Sequence, residues 1–267
     1  MNGPVVVGVD GSAVGLAAVE AAAREAERRG VTLRLAHALT WPTEQVPPGV
    51  APWDPDGAGL RDRVNEALAD AEWRARRVSP DLAITREVLV GEPVTVLESE
   101  SRAACLAVVG SHRTDGMRGR LHGSVAGHLT AHVGCPVLVV RGRAVRTGPV
   151  VLADDASPAA RVAAEFAFAE AADRGADLVV LHLARDRHHA SDDLTDLREK
   201  YPDVRVTARF VRGRRHRALL EASFGAQLVV VGVRRRGGTS AALSTPDGRL
   251  IVRSAHCPVA LVPSGER

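Results

Sequence analysis

The sequence predicts an α/β protein built from two tandem, doubly wound parallel sheets. Three observations carry that prediction. Short, continuous apolar runs such as VVVGV at 5–9, LAVVG at 106–110 and PVLVV at 136–140 show no in–out alternation, as strands covered on both faces require. Longer segments with helical spacing separate these runs, and strictly alternating strands and helices close into a parallel sheet with right-handed crossovers. Past Val140 the same pattern starts again.

The elements follow in order. Val5–Val9 is the first strand, stopped by Asp10-Gly11-Ser12, and Ser12 is a good N-cap for an Ala-rich helix over 13–29 that ends at Gly30. Val31–Ala38 is the second strand. The next stretch, Trp41 to Gly59, holds five prolines and is read as an irregular flap. A charged amphipathic helix over 60–78, a strand over 82–90, a helix over 94–103 and a strand over 106–110 come next. A glycine- and arginine-rich loop follows, then a helix from about Ser124, and the strand 136–140 closes the series.

The linker Arg141–Pro149 is basic and contains two glycines. Beyond it, Asp10, Gly30 and His37 recur as Asp155, Gly175 and His182, at an offset of 145. After the flap the offset drops to 122, where Gly110 matches Gly232 and Cys135-Pro136-Val137 matches Cys257-Pro258-Val259. Some 17 of the 60 ungapped positions from 81 to 140 are identical in the second copy, too many for shared composition. The expected domains are therefore 1–143 and 148–267, the second shortened by about 23 residues around its flap and second helix.

Composition narrows the function classes. A 45% apolar chain can build real cores, but with 3% aromatic residues it has few rings on which nucleic-acid bases would stack, so no specific nucleic acid is expected. No apolar run approaches the 18–20 residues of a membrane span, and the opening MNGPVVVGV enters a strand directly; a cytoplasmic protein without a membrane partner is expected. Three cysteines in apolar contexts, with no CxxC spacing, read as reduced structural thiols. The cations are almost all arginine, which a GC-rich genome supplies without any functional demand.

Ligands of doubly wound sheets sit beyond the carboxyl ends of the strands, where the strand order reverses. If the first and fourth strands are neighbours there, Asp10 and the loop after Gly110 face one crevice. Asp10, with Gly8 and Val9 before it, then either accepts a hydrogen bond from a ligand or caps the following helix as an Asx turn. Gly110 admits a close backbone approach, Gly123-Ser124 opens a helix whose free amides attract an anion, and Arg113, Arg118 and Arg120 add positive charge.

This pattern, Gly110-x2-Arg113-x9-Gly123-Ser124 followed by GSVAGHLTAHVGCPVLVV, resembles the universal stress protein family, and the resemblance covers both halves of the chain. The family's ATP-binding members carry G-x2-G-x9-G-[S/T] there. The resemblance implies a Rossmann-like strand order of 3-2-1-4-5. It also implies an intramolecular pseudo-dimer in which Pro136–Val140 pairs with Pro258–Val262. By position it assigns adenine contacts to Gly8, Val9, Asp10 and Ala38, and ribose and phosphate contacts to Val109, Gly110, Ser111, His112, Arg113, Gly123, Ser124 and Val125. The implied ligand is ATP, with or without Mg²⁺. The implied partners are an adenine nucleotide, a further homodimer and an unidentified protein. Arg113 stands where the family has its second glycine, so it either obstructs the phosphates or replaces an amide contact with a charge.

The second copy departs further. Thr245 and Pro246 replace Gly123 and Ser124, which removes the close approach and one amide donor. Arg212, Arg214, Arg215 and Arg217 after its third strand, with Arg234, Arg235 and Arg236 after its fourth, suggest instead an anion- or partner-binding patch. His128 and His132 lack a third metal ligand in sequence, and no metal site is expected. Gx4GK[ST], HExxH and GxSxG motifs are absent, and VDGSAVG is a poor version of the pyrophosphate loop of ATP-splitting transferases. The expectation is a stress-response or signalling protein that binds ATP in its first domain without substantial catalysis. The alternative is a scaffold that uses the arginine loops of its second domain.

Overall fold

The structure is a computed structural model of the chain. It describes residues 3–40, 59–111, 134–141, 147–183, 194–211, 214–234 and 251–264. Of the expected flap over 41–59, residues 41–58 lie outside these residues, as do 112–133 of the expected loop and helix. By its contacts the chain forms two compact units, Met1–His112 and Arg113–Arg267, a division made by packing where the sequence boundaries above follow the repeat.

The first unit holds strands β1 (Val5–Gly8), β2 (Leu33–Leu39), β3 (Ile84–Val90) and β4 (Leu106–Gly110). All are parallel, in the order β3-β2-β1-β4. Helices α1 (Ala13–Arg29), α2 (Leu60–Val78) and α3 (Pro93–Ser101) connect them. The expected reversal of strand order between the first and fourth strands is present.

The second unit holds β5 (Val137–Val140), β6 (Val150–Asp154), β7 (Leu178–His182), β8 (Val206–Phe210), β9 (Leu228–Arg234) and β10 (Val259–Ser264). Its helices are α4 (Pro158–Arg174), α5 (Thr195–Lys200) and α6 (Arg215–Ser223). The order is β5-β10-β9-β6-β7-β8. β6 to β10 run parallel, and β5 runs antiparallel to β10, with Val139 opposite Val259 and Val137 opposite Leu261. This is the pairing of fifth strands that the resemblance implied. α5 has 6 residues where α2 has 19, the physical form of the shortened second copy.

Local chemistry sets the helix ends twice over. The Ser12 hydroxyl accepts from the Gly15 amide at 3.0 Å and the Ser157 hydroxyl from the Ala160 amide at 3.2 Å. Gly30 and Gly175 close α1 and α4 at φ 62° and 58°, a left-handed turn that costs glycine little. Ala18, Ala22, Ala23 and Ala26 are fully buried, and their small side chains let α1 lie close on the sheet. Each of these helices also buries a glutamate against arginines: Glu25 with Arg28 and Arg29, Glu170 with Arg174. An unpaired carboxylate there would be costly. Cys135 and Cys257 are free and buried, and Cys105 is free and half-buried. Burial pushes the Cys257 thiol up to about 12, which keeps it protonated and unreactive.

Candidate nucleotide site

β1 and β4 pair in register, Val5 with Leu106 and Val7 with Val108, so Val9 and Asp10 leave the sheet beside Gly110 and Ser111. β2 lies on the other side of β1, with Gly8 opposite Ala36, which brings Ala38 to the same carboxyl edge. The structure thus collects Gly8, Val9, Asp10, Ala38, Val109, Gly110 and Ser111 on three adjacent strand ends. His112, Arg113, Gly123, Ser124 and Val125, the rest of the predicted site, lie outside the described residues.

Asp10 is exposed and Val9 is buried. The Val9 carbonyl accepts from His37 Nδ1 at 2.9 Å, which ties the end of β1 to β2 and places the ring proton on Nδ1. Asp10 Oδ1 accepts from the Ser12 amide at 3.0 Å and from the Ser12 hydroxyl at 2.7 Å. The Asx turn is therefore formed. It also fixes the orientation of the carboxylate, and Gly15 makes room for it. A Cβ at residue 15 would lie 2.2 Å from Asp10 Oδ1. Sequence reading passed over Gly15; the signal was the spacing Asp-Gly-Ser-x-x-Gly.

Gly110 admits a close backbone approach, and the approaching backbone is that of α1. A Cβ there would meet Val14 on α1, at 2.8 Å from Cγ1 and 2.9 Å from the backbone oxygen. The residue permits close helix–strand packing. In the second copy a Cβ on Gly232 would lie 2.3 Å from the Ala159 carbonyl oxygen, so both glycines serve the fold.

Beside Asp10 a cleft of about 540 Å³ opens between the β1 turn and α2. Leu60, Val64 and Ala67 give it an apolar wall, with Asp10, His37, Arg63, Glu66 and Asp70 around them. A cleft of this size suits a small molecule of a few rings, and the apolar wall faces an oriented hydrogen-bond acceptor.

The model of the universal stress protein family matches residues 1–141, 147–197 and 184–263. The chain belongs to the universal stress protein family. A universal stress protein of Mycobacterium tuberculosis is 33% identical over 283 residues, covering 96% of this chain and 94% of its own. One from Mycobacterium bovis is 32% identical over 299 residues, covering 96% and 93%. Among solved structures, a universal stress protein from Archaeoglobus fulgidus superposes with a TM-score of 0.79 at 18% identity, over 99% of this chain and all of that one, a likeness of fold.

Within this universal stress protein the second copy wires the same positions differently. Asp154 replaces Val9, and its Oδ2 accepts from His182 Nδ1 at 2.7 Å while Oδ1 accepts from the Ala156 amide at 2.9 Å. Burial alone would raise the Asp154 pKa, but these two hydrogen bonds and the charge of His182 outweigh it and hold the carboxyl below its ordinary value. Phe210 stacks on the His182 ring, centroids 4.8 Å apart. Asp155, the match of Asp10, accepts from the Ser157 amide at 3.1 Å. Ala160 stands where the first copy has Gly15, so the room used by the Asp10 carboxylate is filled.

Of the predicted arginine patch, Arg214, Arg215 and Arg217 are exposed at the start of α6 and Arg234 ends β9. Arg212, Arg235 and Arg236 are outside the described residues. The ends of β8 and β9 open on the same carboxyl edge, but β6 and β7 lie between them, so the two loops stand three strand spacings apart, about 14 Å. No group of three metal-ligating side chains occurs among the described residues. No described helix is long and apolar enough to cross a membrane.

Proposed function

We propose that this universal stress protein is a stress or signalling module that binds ATP in its first unit and regulates through occupancy rather than catalysis. The carrying observation is the Asp10–Ser12–Gly15 arrangement at the reversal point between β1 and β4. There an acceptor is held in one orientation beside a cleft with an apolar wall. The residues present suit the nucleoside end of the ligand. Asp10 takes a hydrogen bond from the base amine, Leu60, Val64 and Ala67 cover the ring, and Val109, Gly110 and Ser111 line the path toward the ribose. The second unit, with Asp154 and Ala160 at the matching positions, does not bind ATP in this manner. Signalling through binding needs no general base, and none is assigned.

The purified protein should release about one ATP or ADP per chain on denaturation, read by ion-exchange chromatography. Asp10→Ala and Gly15→Ala should each weaken ATP binding by roughly tenfold or more, the loss of one well-placed hydrogen bond. An empty protein that shows no thermal shift with millimolar ATP-Mg²⁺ sinks the proposal and favours the scaffold reading.

A further inference from the structure

The two copies differ in charge on a face that holds none of the residues of the proposed nucleotide site. Arg205, just before β8, and Thr207 and Arg209 within it alternate with Val206, Ala208 and Phe210. The first copy shows which set faces which helix. On β3, Arg86 pairs with Glu72 of α2, so Ala83, Thr85 and Glu87 face the side of α3. By the repeat, Arg205 and Arg209 face the side of α6, whose N-cap and first turn carry Arg214, Arg215 and Arg217.

At those five positions the first copy has Ala83, Glu87, Glu92, Pro93 and Thr95. Five arginines thus replace two glutamates and three uncharged residues. Arginine supplied by base composition alone would load both copies. The placement also opposes stability: cations at a helix N-terminus work against its dipole, and Arg214 gives no side-chain cap. Arg217 pairs with Glu221. Among the described residues, Arg205, Arg209, Arg214 and Arg215 have no carboxylate partner.

Among the described residues β8 is also a sheet edge. The Arg205 carbonyl accepts from the Leu178 amide at 2.9 Å, and the Val211 amide donates to the His182 carbonyl at 3.0 Å. The odd-numbered residues therefore bond inward to β7. Val206 and Ala208 turn their N–H and C=O groups outward.

We infer that this edge receives an acidic, extended segment of another protein, added to β8 as a further strand with its carboxylates over the arginine face. Backbone pairing supplies the register and the arginines select the charge. A nucleic acid would meet the same charges but has no use for the outward amides, and Phe210 stacks on His182 on the opposite face, away from the arginines. The inference is independent of ATP binding in the first unit.

The test uses the full chain and a fluorescein-labelled (Glu-Thr)₅ peptide, read by fluorescence polarisation at low and physiological salt. The parent should bind, more weakly as salt rises. The double variant Arg205→Glu/Arg209→Glu should bind at least about tenfold more weakly. Ala208→Pro keeps every charge and every bond to β7 while removing one outward N–H, and it should lose binding to the same degree. Absence of binding by the parent overturns the inference. So does unchanged binding by an Ala208→Pro variant that melts cooperatively. An oligothymidylate that binds the parent as tightly as the peptide would mark a general polyanion surface and also overturns it. If Ala208→Pro fails to fold, a peptide N-methylated at alternate residues replaces it, and equal binding of that peptide by the parent is decisive against strand addition.

Discussion

At the end of its first strand each copy of the repeat carries an aspartate, a serine cap and a histidine from the neighbouring strand. In the first copy His37 donates to the Val9 carbonyl, and the Asp10 carboxylate lies over Gly15. In the second copy His182 donates to the Asp154 carboxylate, and Ala160 fills the space that Gly15 leaves open. One ancestral arrangement thus became a cleft with an oriented acceptor in one place and a hydrogen-bonded Asp154–His182 latch in the other. What the copies share, such as the serine caps and Gly110/Gly232, serves folding. What they do not share is where a ligand or partner is to be sought.

If that division is right, Gly232 is the most sensitive of the shared positions. Gly232→Ala drives a Cβ into backbone at Ala159 and should cost about 3 kcal/mol by urea denaturation, while Gly110→Ala, opposed partly by the movable Val14 side chain, should cost about 1–2 kcal/mol. Equal costs would mean that the two helices sit equally close to their sheets.

The latch should show in pH dependence. Because the Asp154 pKa is lowered in the folded protein from 3.8, its contribution is complete above that value and is lost as pH falls through the folded pKa. Asp154→Ala should therefore cost about 1.5–3 kcal/mol at pH 7, and the gap to the parent should narrow below about pH 4. A gap that is constant down to pH 3 would show that the contribution of Asp154 does not depend on its ionisation.

The smallest difference concerns the turn between them. Gly11 and its match Ala156 are both left-handed, φ 74° and 59°, which strains only the alanine. Ala156→Gly should stabilise by about 1 kcal/mol in a thermal melt, and Gly11→Ala should lose a similar amount.

Much of this architecture is legible in the residues themselves. Ser12 and Gly30 mark the ends of α1, and Val64, Leu68, Ala71 and Ala75 recur at helical spacing on the buried face of α2. The meeting of Asp10 and Gly110 could be read because the order of βα units dictates where strand order reverses. The Asp154–His182 pair was not legible, since its partners are 28 residues apart and nothing local marks them. Nor was the arginine face complete in sequence: Arg214, Arg215 and Arg217 form a visible run, but Arg205 and Arg209 join them only through strand alternation and the choice of edge. β3 shows the same limit. Its Val88 and Val90 look like core residues, yet they are 46% and 80% exposed, and among the described residues no strand lies beyond that edge.

The antiparallel pairing of β5 with β10 has a consequence for synthesis. The partner of Val139 is Val259, about 120 residues later, and at 5–20 residues per second a ribosome needs roughly 6–24 s to make it. Through that interval the nascent chain holds a strand whose antiparallel neighbour does not yet exist. β10 is also the strand that joins β5 to β9, so this pairing is completed only once β10 has emerged.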